Sequence, residues 1–347
     1  MIQGFQRVCC SGLRFSNQSR SCSTTSIKAE WRKRRNIIYN QELQRQRSEL
    51  GRPEKVKITF IPTHCVEKPN TMMMNLGTST PFDCARHVSE TVQENAAIAL
   101  VDDQVWDMHR PFEKDCTLKL LTMEMPNETR SLNNAYWRTC SFILGAMAES
   151  SFKDDVQLYL HSFPPPNLKS GSFIHDVVID LEDWRPTNAE LKALSAQFVR
   201  LTTASSLPME RLEVSEEIAL DMFQDNPYKS KQIPDMVRDN KLTLYRLGDH
   251  IDISRGPMVA GNYIIGRVTI ASVHKVESEE TDRMYRFQGI SIPRGIRLNH
   301  FAYSILEDRA RQLNTSTWVN QFQPEYEEPE DTQRSSGEET SVAAAQN

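Results

Sequence analysis

Two hydrophobic periods alternate along this chain, and that alternation limits its fold more than any single motif does. Lys55 to Ile61 sets Val56, Ile58 and Phe60 against polar neighbours, the period-two pattern of a half-buried strand. Ile98 to Val101, Thr117 to Thr122, Leu158 to Leu160, Ile174 to Leu181 and residues 242–253, 263–273 and 284–292 read as further strands. Helical faces interrupt them. Pro81 opens one that aligns Ala85, Val88 and Val92, after a loop with three methionines. Asn133 or Asn134 is placed to cap a second, whose face carries Trp137, Cys140, Leu144 and Met147. Thr187 with Glu190 gives a capping-box signal ahead of Leu191, Leu194, Phe198 and Leu201. Ser215, followed by Glu216 and Glu217, starts another, and a last helix near 297–313 is expected to bury Phe301, Ile305 and Leu306. Both periods in irregular order predict an α+β fold, with a small unit over 55–124 and a larger one over 125–322. No internal repeat is visible.

The ends of the chain differ from this middle in charge. Residues 1–26 hold Arg7, Arg14 and Arg20, many hydroxyl side chains and no Asp or Glu, the composition of a mitochondrial presequence or of a disordered terminus. No apolar core of a secretory signal is present there. Over 28–52 eight basic residues face three acids. Trp31 and Tyr39 flank the densest cluster. Such a basic helical arm, 27–54, can neutralise RNA phosphates while a ring stacks on a base, and Arg32, Lys33, Arg34, Arg35, Arg45 and Arg47 are the candidate contacts; a solvated helix is the plain alternative. From Pro324 onward seven acids oppose Arg334, so 323–347 is expected to be a disordered acidic tail. No run of 18 apolar residues exists, so no membrane span is expected.

Familiar catalytic patterns are missing. There is no phosphate-binding glycine loop, no nucleophile elbow and no H-E-x-x-H pair, and Gly261 to Gly266 reads as a turn into a strand. His161 and His175 flank a Pro/Gly-rich loop and could converge, although histidines so far apart are commonly unrelated. His64 adjoins Cys65, but adjacent strand side chains point to opposite faces. Cys65, Cys84, Cys116 and Cys140 lie far apart without a C-x-x-C pair, which predicts reduced, buried thiols and no zinc knuckle. The residues imply no cofactor and no metal site.

Longer motifs carry a resemblance. Leu100 to Met123, LVDDQVWDMHRPFEKDCTLKLLTM, resembles the TGS domain of threonyl-tRNA synthetase, with Trp106, Asp107, Arg110, Pro111, Glu113, Asp115, Cys116, Thr117 and Leu118 in the family's order. Glu216 to Ile233, Tyr245 to Met258 and Met284 to Pro293 are similar to the editing domain that follows it in that family. The resemblance covers about residues 55–315. It implies a small ubiquitin-like β-grasp (TGS) domain followed by a larger α+β editing-like domain. Editing-competent members present two histidines on a helix and a Cys and a His around an Arg-Gly-Pro turn. Aligned on Trp137, Gly145 and Arg255 to Pro257, those places fall on Arg138, Phe142, Ser254 and Met258.

Hydrolysis of a mischarged aminoacyl ester needs groups that exchange protons near neutral pH. Arg stays protonated, Phe has no lone pair, Met is a weak donor, and Ser254 has no adjacent base. The site is therefore expected to be vacant, with no catalytic residue, and either collapsed or packed by Phe142 and Met258, while Arg138 caps it or reaches a phosphate. After the editing-like stretch only one helix and the acidic tail follow, which implies no aminoacylation domain. With a presequence, the resemblance implies a structural role in the mitochondrial large ribosomal subunit, in the matrix, with large-subunit rRNA and neighbouring mitochondrial ribosomal proteins as partners. A free tRNA-binding module and a trans-editing deacylase are the alternatives.

Overall fold

A computed structural model describes residues 27–62, 69–125 and 129–317. The expected presequence, the acidic tail and the His64–Cys65 pair lie outside the described residues. The chain opens with helix α1 (Ile27–Glu49). It continues through β1 (Lys55–Phe60), β2 (Asn70–Asn75), α2 (Pro81–Val88), α3 (Glu90–Asn95), β3 (Ala96–Val101), β4 (Gln104–Trp106) and β5 (Cys116–Thr122). These strands form one sheet in the order β2-β1-β5-β3-β4, with β1 parallel to β5 and every other neighbour antiparallel. Helix α2 starts in a capping box: Thr80 accepts from the Asp83 N–H, Asp83 accepts from the Thr80 N–H, and Pro81 takes the first turn. Its Cys84 and Ala85 pack on Ile58, Leu118 and Phe112. Ile98, Leu100 and Leu121 join the main core instead, so this sheet is covered on both faces.

The remainder runs α4 (Thr129–Ser151), β6 (Leu158–Ser162), β7 (Phe173–Ile179), α5 (Asn188–Thr203), β8 (Glu210–Val214), α6 (Glu216–Met222) and α7 (Pro227–Met236). Then follow β9 (Leu242–Leu247), β10 (His250–Ile253), β11 (Ile265–Lys275), β12 (Met284–Pro293) and α8 (His300–Ala310). A four-stranded antiparallel sheet, β11-β12-β7-β6, carries α4 and α5 against Ile270 and Phe287, while α8 packs through Tyr303 and Ala310 on Ala271 and Ile290. A three-stranded sheet, β10-β9-β8, is covered by α6 and α7 and by Tyr39 of α1. The fold is α+β, as expected.

Several elements depart from the sequence expectation. The methionine loop contains edge strand β2, whose Met74 alone is well buried; unbranched methionines hide a strand signal. Strand β8 carries only Leu212 and Val214 inward and was not foreseen. Residues 242–253 form a hairpin, β9 and β10, that turns at Gly248 with φ +64°. Helix α4 begins at Thr129, so Asn133 and Asn134 lie within it and do not cap it. Ser215 stands at the N-cap of α6 but makes no capping hydrogen bond. On α8 the inward stripe is Tyr303, Leu306 and Ala310, so Phe301 and Ile305 point outward, 75% and 54% exposed. Cys84, Cys116 and Cys140 are free and buried, as expected. Burial lifts the Cys116 thiol to about 11 and the Cys84 thiol to about 12.

Candidate functional site

The two segments aligned with the editing positions face each other. Helix α4 supplies Arg138 and Phe142, and the turn after β10 supplies Ser254 and Met258. Arg138 Nη1 donates to the Pro257 carbonyl at 3.1 Å. One residue on, Thr139 Oγ1 accepts from the Val259 N–H at 3.0 Å, so α4 grips the turn at two places. Gly256 sits at φ +67°, and a Cβ there would lie 1.8 Å from Tyr245 Oη, so only glycine lets the turn approach.

Asp107 holds the same turn from the β-grasp unit. It accepts from the Met258 N–H at 2.8 Å and from Tyr245 Oη at 2.9 Å. The Arg211 guanidinium lies 3.4 Å from the same carboxylate. Burial, and the charge of Asp107 beside it, keep the Tyr245 hydroxyl protonated far above its ordinary range.

The space between α4 and the turn is filled. Phe142 and Met258 are 0% and 1% exposed and belong to one core cluster. Ser254 is buried, and its Oγ accepts from the Gly256 N–H at 3.3 Å. Phe142 meets the His250 ring edge-on, with centroids 4.8 Å apart.

Behind Phe142 lies a buried polar cluster that sequence reasoning missed. His250 Nδ1 is 2.9 Å from Glu149 Oε2, and Lys229 Nζ is 2.6 Å from Asp252 Oδ1. Burial alone would raise the Glu149 carboxyl, but the His250 hydrogen bond and the charges of His250 and Arg35 hold it down at about 2. Asp252 is likewise lowered by Lys229 against its burial. His175 Nδ1 lies 2.9 Å from the Ser141 carbonyl, and burial, followed by the Lys229 charge, pushes the ring down to about 4. The ring is neutral at pH 7, so Nδ1 donates and Nε2 is left without a partner. Gly145 makes room for it, since a Cβ there would lie 2.5 Å from His175 Cε1. His161 pairs with Glu280 at 3.0 Å, so the two loop-flanking histidines do different work. Among the described residues no group of three His, Cys, Asp or Glu side chains is placed to hold a metal ion. A recurring period would not have found this cluster, because its members come from α1, α4, β7, α7 and β10.

The basic arm also needs correction. Arg35 is only 6% exposed and is ion-paired with Asp225 and Glu149, so it is not a surface contact. Arg34 pairs with Asp221 at 2.6 Å, Arg32 with Asp249 at 3.7 Å, and Arg45 with Glu42 at 2.7 Å and Glu49 at 2.5 Å. Trp31 is half-buried, its ring 6.5 Å from that of Tyr159, and Tyr39 is buried under the Arg246 guanidinium, so the Tyr39 ring is not offered to a base. Lys33 and Arg47 remain exposed. The acids that absorb Arg32, Arg34 and Arg35 lie more than a hundred residues away, which local charge counting does not see.

Comparison with known proteins agrees with this architecture. The TGS domain family matches residues 76–122. Over 292 residues the chain is 45% identical to Large ribosomal subunit protein mL39 of Drosophila melanogaster, covering 83% of this chain and 86% of that protein. It is 33% identical over 220 residues to the cytoplasmic Threonine–tRNA ligase 2 of Homo sapiens, covering 62% of this chain and 25% of that enzyme. Against the Threonine–tRNA ligase of Thermotoga maritima identity is 29% over 237 residues, covering 67% of this chain and 34% of the enzyme. The chain thus spans only a minor part of each ligase, whereas it and the ribosomal protein match over most of their lengths. On that two-sided coverage, the chain belongs to the family of the large ribosomal subunit protein mL39.

Proposed function

We propose that this chain is a structural protein of the mitochondrial large ribosomal subunit, located in the matrix, where it contacts rRNA and neighbouring ribosomal proteins and performs no editing or aminoacylation. The observation that carries the reading is the filling of the former editing site while the elements around it are kept. Phe142 and Met258 occupy the core where proton-transferring groups would stand, and Arg138 is spent on a backbone carbonyl. Each lost general acid–base group removes about 10²–10⁴-fold in rate. His250 is engaged by Glu149 and covered by Phe142, so it does not replace them.

In this reading the chain divides into a presequence over 1–26, an arm over 27–54, a TGS unit over 55–124, an editing-like unit over 125–322 and a tail over 323–347. Arg32, Arg34 and Arg35 fasten the arm helix to distant acids and Arg45 pairs with acids of the same helix, leaving Lys33 and Arg47 as its phosphate contacts. The test is sucrose-gradient sedimentation of mitochondrial lysate. The chain is expected in the large-subunit peak, and a pool confined to the top of the gradient would overturn the reading. Purified protein incubated with seryl-tRNA for threonine is expected to give background hydrolysis alone; turnover would restore the deacylase alternative.

A further inference from the structure

The segment leading into α8, together with that helix's outer face, carries side chains the fold does not use. Ile296, Leu298, Phe301 and Ile305 are 37%, 40%, 75% and 54% exposed. They stand within ten residues of one another, whereas the other exposed large apolar side chains among the described residues are scattered from Ile27 to Val199 or stand apart at Leu313. Phe301 and Ile305 are one turn apart on α8, opposite the Tyr303–Leu306–Ala310 stripe that holds the helix to its sheet. Arg294, Arg297 and His300 are exposed around them. Among the described residues neither Arg294 nor Arg297 has an ion-pair partner, and no acid occurs from 294 to 306. A concentrated apolar patch with an arginine rim has the composition of a protein–protein interface.

We infer that this face docks a neighbouring protein segment that presents aliphatic side chains flanked by carboxylates. The apolar residues supply the dry centre, and Arg294 and Arg297 at the rim favour acids opposite. RNA fits less well. Three of the four apolar side chains are aliphatic and offer a base no ring to stack on, and two guanidiniums neutralise little phosphate charge.

The inference rests on the ribosomal reading, and the test separates the two. Large subunits are purified from cells expressing the full chain with Phe301→p-benzoylphenylalanine, irradiated, and the cross-linked partner is sequenced. The expected product is one ribosomal-protein peptide with aliphatic residues beside Asp or Glu. Phe301→Asp, Ile305→Asp and Arg297→Glu are each expected to lower subunit retention about tenfold, as for loss of an interface anchor. Phe301→Ser and Ile305→Ser serve as milder variants should an aspartate unfold the chain. Cross-linking to rRNA, to the chain itself or to nothing, with the chain present in the subunit peak, overturns this inference alone. Absence from that peak overturns the ribosomal reading as well.

Discussion

Phe142 is a core side chain at a position aligned with a histidine of editing-competent synthetases. Its ring is fully buried and packs on His250, so Phe142→Ala is expected to cost about 3–5 kcal/mol. A urea titration should show a lower midpoint with an unchanged slope. His175 makes a second prediction at this scale. Its folded-state value near 4 lies below the ordinary 6.5, so the unfolded chain binds a proton first as pH falls. The stabilisation, on the order of 3 kcal/mol, is complete above pH 6.5 and disappears as pH drops through 4. His175→Asn keeps a donor for the Ser141 carbonyl and should flatten the stability–pH curve in that window. If the variant and the parent lose stability in parallel between pH 6.5 and 4, the assignment is wrong. That no proton-transferring side chain stands at Arg138, Phe142, Ser254 or Met258 was legible from the residue types in a motif frame. The neighbours of Phe142 were not, because His175, His250 and Glu149 meet only across three elements.

At the scale of elements, capping chemistry was the most legible signal. The box formed by Thr187 and Glu190 is formed as expected, because N-cap bonding depends on residues three apart. Strands β2 and β8 were not legible, since neither has the β-branched alternation that marks a strand. Helix α1 lies between these cases. Its charge was read correctly, yet most of that charge faces this chain's own acids. Arg35→Ala would leave Asp225 and Glu149 without their buried cation, at about 3–5 kcal/mol. Amide hydrogen exchange over 27–49 should then accelerate, and unchanged protection there would argue against Arg35 as the fastener.

Across the whole molecule, Asp107 joins the β-grasp unit to the Arg-Gly-Pro turn. Asp107→Ala strands the Met258 N–H and the Tyr245 hydroxyl in a buried place, at about 2–4 kcal/mol. Thermal unfolding followed by calorimetry should show a correspondingly lower midpoint, and an unchanged midpoint would contradict this role. The Trp-Asp pair was visible as a motif, but its clamp on Tyr245 and Met258, 138 and 151 positions further along the chain, was not.

By itself the sequence determined the α+β class, the capped helices, the family resemblance and the absence of proton-transferring groups at four framed positions. These depend on neighbours within a few residues or on motif spacing. Only the tertiary structure decided that Phe142 and Met258 fill one core, that Arg35 is internal, and that Phe301 and Ile305 are outside. Burial and ion pairing are set by which distant elements meet, and a periodic pattern names a helix face without saying what will cover it.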